Sequence, residues 1–297
     1  MRFEDFKEFP VQEISVDDLS KTHLEHYPDG TPVGGIYHYD LIMRVLGMLE
    51  EAGFGDCNIQ SFVANNNVKR NPGITILPDI EEKEGVGALS AHICRRVFSN
   101  INIVGNGANE ESCYNMAISY TQAGIMIGFG PFVYACKNQT ICRAERIISN
   151  YTIRGFEKVS NDSRRIDVLM SLVSDQIHSI AQNAADDFNE VELLKTKMLT
   201  HKDMFALLGE MVVMRAACAS PDPLVHLNSI APLSSADINV VADNLLSEKL
   251  IEEGCSAYDF LQHCNKMLKP RTVPFENIAP QAYNLYYAVK DYVENYM

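Results

Sequence analysis

No charged side chain occurs between Ser112 and Cys136, and this run of 25 residues constrains the fold more than any other part of the chain. It lies within Ala88–Tyr151, a stretch of β-branched, aromatic and small residues broken at Gly105–Asn109 and again at Gln122–Gly124. A bilayer span would need its backbone and polar side chains satisfied inside lipid. Asn115, Ser119, Tyr120, Thr121 and Gln122, together with a Gly-containing turn, break that requirement. The stretch therefore reads as two adjacent strands joined by a hairpin and buried in a sheet.

Around it the chain changes period. From Ile36 to Glu51 the apolar residues Ile36, Tyr39, Ile42, Met43, Leu46 and Leu49 recur at helical spacing, with Gly53 placed to end the helix. Residues 57–66 and 73–77 read as short strands with a turn at Asn71–Gly73, and 78–87 as an acidic loop. A strand over 89–104 then leads into the hairpin, and such short connections predict an antiparallel meander. Beyond it, Ile166, Leu169, Met170, Val173, Ile177, Ile180, Ala181, Ala184 and Phe188 form one helical stripe, opened by the capping candidates Ser160, Asn161 and Asp162. Thr200 with Asp203, Ser234 or Ser235, and Ser256 with Asp259 predict three further capped helices, and Pro280 reads as the first turn of a last one over 282–296. The expected class is α+β: an antiparallel β-meander core preceded by one helix and followed by a long helix and a helical C-terminal half. A soft boundary falls at 161/162, separating a sheet region (1–161) from a helical region (162–297) packed on it, or falling within a single domain.

The chain of 297 residues is 46% hydrophobic, enough for a substantial core, and carries a net charge of −14. That charge argues against indiscriminate coating of nucleic acid. It is unevenly spread: residues 1–68 sum to −8, 166–297 to −9, and 69–165 to +3. Eight cysteines (57, 94, 113, 136, 142, 218, 255, 264) stand in apolar contexts without close pairs and read as thiols of a reducing compartment. The acidic start MRFEDFKEF has no apolar stretch of a secretory leader, so a cytoplasmic location is expected.

Motifs with chemistry are few. Val104–Gly107 lacks the third glycine of a dinucleotide fingerprint and precedes strands. There is no Walker loop, GxSxG, HExxH or CxxC, and His23, His26 and His38 have no ligand spacing; no catalytic residue, metal or cofactor is expected. Gly124, Gly128 and Gly130 read as a turn and a strand bend. Cys136 and Cys142 are each followed by a cation, which lowers a thiol pKa, yet burial without a His partner is the stronger reading. Asp186, Asp187, Glu190 and Glu192 read as a solvated acidic face. What remains is a set of cations and aromatics in the middle segment: Arg95, Arg96, Tyr134, Lys137, Arg143, Arg146, Tyr151, Arg154, Arg164 and Arg165. Single-stranded nucleic acid is held by this combination, cations on phosphates and rings on bases. The competing reading pairs those cations with the acidic segments or with another subunit.

IYHYDLI (36–42), the strands of 88–102, FGPFVYACKNQTI (129–141), LLG (207–209) and APQAYNLYYAVKDYV (279–293) together resemble a family of uncharacterised phage/plasmid-like proteins found on prophages, plasmids and Bacteroides mobile elements. Cys136–Lys137–Asn138 is similar to that family's Cys–x–Asn triplet at a strand end, and 284–290 to its tail. The resemblance implies a mobile-element context and supplies no catalytic residue. A β-meander followed by a long helix also looks like the β-β-β-α core of phage single-strand annealing proteins, a likeness of fold alone. The expectation is a non-enzymatic, homo-oligomeric protein that binds single-stranded DNA. The alternatives are a protein-interaction module, such as an inhibitor of a host defence complex, and an enzyme using the Cys136–Cys142 region.

Overall fold

The computed structural model describes residues 11–20, 36–55, 57–64, 96–103, 112–121, 124–133, 138–149, 163–218, 230–269 and 275–297. The fold is α+β, as the change of period predicts. Strands β1 (Val11–Ile14), β2 (Cys57–Ala64), β3 (Arg96–Ile103), β4 (Ser112–Thr121), β5 (Gly124–Val133) and β6 (Asn138–Gln139) lie side by side in chain order, every pair antiparallel. A short β7 (Ile147–Ser149) pairs with the first half of β5. The strands expected over 73–77 and 89–95 fall outside the described residues.

Helices cover both sides of this sheet. The meander is not preceded by one helix as expected: the short α1 (Val16–Leu19) and α2 (His38–Glu51) lie in the chain between the edge strand β1 and β2, and α3 (Ser163–Lys195) follows the sheet. Then come α4 (His201–Cys218), α5 (Ser235–Ser247), α6 (Leu250–Glu253), α7 (Ala257–Asn265) and α8 (Phe275–Tyr296), with β8 (Met198–Leu199) and β9 (Cys255–Ser256) forming a small separate pair. No described helix is long and apolar enough to cross a membrane.

The sheet divides two cores because its strands present different chemistry on alternate residues. One face carries Val97, Ile101 and Ile103 of β3, Tyr114, Met116, Ile118 and Tyr120 of β4, and Ile125, Ile127 and Phe129 of β5, and packs with α2 and with Ile166–Ala184 of α3. Tyr120 donates its hydroxyl to the carbonyl of Ile36 at 2.6 Å, tying the entry of α2 to this face. The opposite face carries Phe62, Phe98, Ala117 and Met126, which join α4, α5, α7, α8 and the last turns of α3. Helix α3 thus serves both cores, which accounts for the apolar stripe running past Phe188 to Val191 and Leu194.

Two glycines set how closely the second layer sits. A Cβ at Gly128 would overlap Ile141 and Ala279, and one at Gly130 would run into the Thr140 carbonyl. The bend read there is a close approach of backbone. Ser119 donates its hydroxyl to the Phe275 carbonyl at 2.5 Å, anchoring the start of α8 on β4. Helix α8 therefore spans Phe275–Tyr296, and Pro280 lies inside it rather than in its first turn. Burial of Phe275, Ile278 and Ala279 on the sheet carries the helix through the proline.

Three caps fall where the sequence places them, while the candidates Ser160, Asn161 and Asp162 lie outside the described residues. Ser234 accepts from the Asp237 amide while Asp237 accepts from the Ser234 amide, a reciprocal box that selects Ser234 over Ser235. Ser256 caps α7 by accepting from the Asp259 amide at 3.0 Å, and the Thr200 amide donates to Asp203 at 2.7 Å before α4.

Candidate binding site

The cations singled out in the sequence do not form an open surface where they are described. The Arg146 side chain is 4% exposed and its Nε donates to the Asp187 carboxylate at 3.0 Å, while one terminal nitrogen donates to Gln176 at 2.9 Å and to Ser179 at 3.1 Å. Arg143, 36% exposed, places its Nε 3.1 Å from the other Asp187 oxygen. Tyr114 completes the set by donating to Asp187 at 2.6 Å. Arg146 is therefore not a phosphate ligand, and Arg143 is tied to a carboxylate of its own chain. Arg95, Tyr134, Lys137, Tyr151 and Arg154 lie outside the described residues; Arg96 opens β3 and Arg164 and Arg165 open α3, but their side chains are outside the described part.

The acidic cluster is corrected by the same observation. Asp187 is 1% exposed, and Glu190 accepts from Lys290 at 2.7 Å and Tyr286 at 2.8 Å. Hydrogen bonding from Lys290 holds the Glu190 carboxyl below its usual range, against the opposing effect of partial burial. Cys142, beside this network, donates to the Asp187 backbone carbonyl at 3.7 Å, and burial first, then the nearby carboxylates, push its thiol well up. A buried thiol held protonated is a poor nucleophile, which argues against Cys142 in the enzymatic alternative; Cys136 lies outside the described residues. Burial also pushes Cys255 up to about 11 and Cys264 higher still, so these read as packing residues.

A different constellation occupies the second face of the sheet. Asn58 and Gln60 of β2, Asn100 and Asn102 of β3, and Asn115 of β4 all point to it, because each is in register with the next: Gln60 faces Asn100, Asn58 faces Asn102, and Asn102 faces Asn115. Asn115 donates to Asn102 at 2.7 Å and Gln60 to Glu13 at 2.7 Å. Gln139 of β6 donates to the Asn115 and Gly128 carbonyls, both at 3.0 Å. The row is half open to solvent, Asn58 being exposed and Gln60, Asn100, Asn102 and Gln139 partly so. The alternation was present in the sequence as C-N-I-Q-S and S-N-I-N-I, where it serves only to identify strands.

Where this row meets the helices, a small cleft opens between Phe98, Asn100, Phe132 and Gln139 of the sheet and Asn265, Leu268, Lys269, Ile278 and Ala282 of the helical layer. Asn265 is 2% exposed, and both its carboxamide nitrogen and oxygen lack a partner; so do the side-chain oxygens of Gln139 and Asn115. An unpaired buried polar group costs about 1–3 kcal/mol. Asn284, by contrast, donates to the Ile230 carbonyl at 2.6 Å.

Carboxamides donate and accept without taking up or releasing a proton. The row thus offers donors and acceptors from neutral side chains, and the carboxylate that meets it is Glu13, which accepts from Gln60. No group of described residues has the composition of a metal site. No family model, curated protein or solved structure matches the chain.

Proposed function

We propose that the protein is a non-enzymatic, oligomeric protein of a mobile genetic element that holds single-stranded DNA against the amide-bearing face of its sheet. The row from Asn58 and Gln60 through Asn100 and Asn102 to Asn115, bordered by Phe98 and Phe132, carries this reading. A single strand exposes the donor and acceptor edges of its bases, which carboxamides match, whereas a duplex hides them. The mobile-element context rests on the resemblance of the sequence. With Arg143 and Arg146 bound to Asp187, the contact relies on base edges more than on phosphates. Each phosphate contact withdrawn lowers the salt slope by about 0.7 for a single strand. Fluorescence anisotropy of a labelled oligonucleotide tests this. Single strands are expected to bind tenfold or more tighter than the duplex, with a loss in Asn58→Ala/Asn100→Ala. Equal affinity for both forms, or an unchanged double variant, rejects it.

A second reading, docking to another protein, is favoured by the outward face of α4. Phe205, Val212 and Val213 are exposed there, Val213 by 69%, while Met204, Leu207, Leu208 and Met211 fill the core behind them. A helix apolar on both sides is normally covered on both. Val213→Glu is expected to keep the fold and lower the mass seen by light scattering; an unchanged mass removes α4 as the contact between copies and leaves capture of a different protein as this reading's remaining form.

A further inference from the structure

Helix α4 is apolar on two sides, and the core takes up one of them. Lys202, Phe205, Ala206, Gly209, Val212 and Val213 are exposed and recur at the three- and four-residue spacing of a second stripe. Phe205 is 53% exposed, Val212 46% and Val213 69%. No carboxylate belongs to this stripe, in a chain of net charge −14. Asp203 and Glu210 turn to α8 instead: Asp203 accepts from the Tyr292 hydroxyl at 2.8 Å, and Glu210 is half-buried near the charge of Asp291. The stripe has a glycine at its centre. Gly209 has eight helical residues before it, His201–Leu208, and nine after it, Glu210–Cys218. A Cβ there would meet nothing outside its own helix within 4 Å. A mid-helix glycine weakens a helix relative to alanine, and no close approach within the chain compensates for it.

The occupant that fits this stripe is a second copy of it. Turning another α4 end for end about Gly209 sets Phe205 of one copy beside Val212 of the other and Ala206 beside Val213, each pair occurring on both sides of the crossing. The two glycines meet at the centre, where the lack of side chains lets the helix axes approach to about 8 Å. Electrostatics favours the same direction. Lys202 lies in the first turn of its own helix, the positive end of the dipole and the unfavourable one for a cation. The antiparallel crossing carries it over the last turns of the other copy's helix, the end that favours it, whereas a parallel pair would set Lys202 against Lys202. We propose that the exposed stripe of α4 is the contact of a two-fold homodimer, formed by two α4 helices crossing antiparallel at Gly209. This rests on the docking reading of α4 given above and commits it to a second copy. A contact one helix wide and about 17 Å long is small beside the roughly 800 Å² per partner of a stable complex, so the dimer is expected to be reversible at micromolar concentrations.

Sedimentation equilibrium of the full chain across the micromolar range measures the Kd of the dimer, and urea unfolding of dilute protein followed by circular dichroism reports the fold. Gly209→Leu is expected to unfold at an equal or higher urea concentration than the parent, because leucine is the better helix former and has open space there. Its Kd is expected to rise at least tenfold, because the close crossing is blocked. That split separates loss of a contact from loss of fold. Ala206→Lys and Val213→Glu each set a charge without a counter-charge in the contact and should raise the Kd by a similar factor. The double variant Ala206→Lys/Val213→Glu should recover most of that loss, because the antiparallel crossing brings the new cation of each copy against the new anion of the other. Single variants that weaken the dimer without recovery in the double variant overturn the antiparallel crossing and leave α4 as a docking face. A parent that stays monomeric throughout the range, or a dimer whose Kd neither Gly209→Leu nor Val213→Glu changes, overturns the homodimer contact and leaves the docking reading to a different protein.

Discussion

Replacing Asp187 by alanine tests the account of the buried arginine directly. The carboxylate accepts from Arg146 at 3.0 Å and Tyr114 at 2.6 Å, and sits 3.1 Å from Arg143. Its removal leaves Arg146, 4% exposed at the side chain, with its bonds to Gln176 and Ser179 but without a counter-charge. Breaking a buried pair from one side costs about 3–5 kcal/mol, because the remaining charge stays desolvated. The orphaned Tyr114 hydroxyl adds to this, though not independently, since both donors share one acceptor. Arg143 loses little, being able to turn to solvent. The expected loss is a large part of a typical total stability of about 5–15 kcal/mol. Urea unfolding followed by circular dichroism should show a midpoint lowered by about 1–2 M for an m-value near 3 kcal/mol/M. The control is Asp187→Leu/Arg146→Met/Tyr114→Phe, which removes the carboxylate together with its two buried donors and should recover most of the loss. An Asp187→Ala variant within about 1 kcal/mol of the parent would refute the reasoning: Arg146 would then be solvated in solution and again available to a phosphate.

Stability should also depend on acid through His38, which burial lowers to about 4 from 6.5. The unfolded chain takes up this proton near pH 6.5 and the folded one only near 4, so the contribution is complete above 6.5 and is lost as pH falls between the two values. The loss is about 3 kcal/mol, and His38→Phe should flatten that window relative to the parent in urea titrations at stepped pH. Gly130→Ala should yield little folded protein, because its Cβ meets the Thr140 backbone carbonyl and not a flexible side chain; normal thermal unfolding of this variant would contradict the close approach. Ser234→Ala removes one half of the box before α5 and should lower stability by about 1 kcal/mol, as measured by the urea midpoint.

The elements that were legible are those whose signal is local. Period 2 in 112–133 and period 3.6 from Ile166 onward yield β4, β5 and α3, and a Ser or Thr followed three residues later by Asp marks three caps. Pro280 was misplaced because a proline inside a helix is carried only by tertiary packing, here Phe275 and Ile278 against the sheet. The burial of Arg146 was missed for a related reason: it and its carboxylate are 41 residues apart, and no local pattern joins them. A clue did exist on the other partner. Asp187 falls in phase with Ala184, Val191 and Leu194 on the buried stripe of α3, while Asp186 faces solvent. A carboxylate in phase with a core stripe needs a cation in the core, and the nearest basic segment was the one assigned to DNA.

The two faces of the sheet show why the candidate site escaped a search for charge. On the first face every large side chain is apolar or a tyrosine whose hydroxyl has an acceptor, Tyr114 on Asp187 and Tyr120 on Ile36. On the second face β2, β3 and β4 place carboxamides at alternate positions, where a strand covered throughout by α8 would carry valine or isoleucine. A face so built keeps hydrogen-bonding capacity without charge, so it neither collapses into the core at no cost nor attracts ions from a distance. Arg143 and Arg146, which charge arithmetic put on the surface, pair instead with Asp187 of α3, between the residues that helix gives to the two cores.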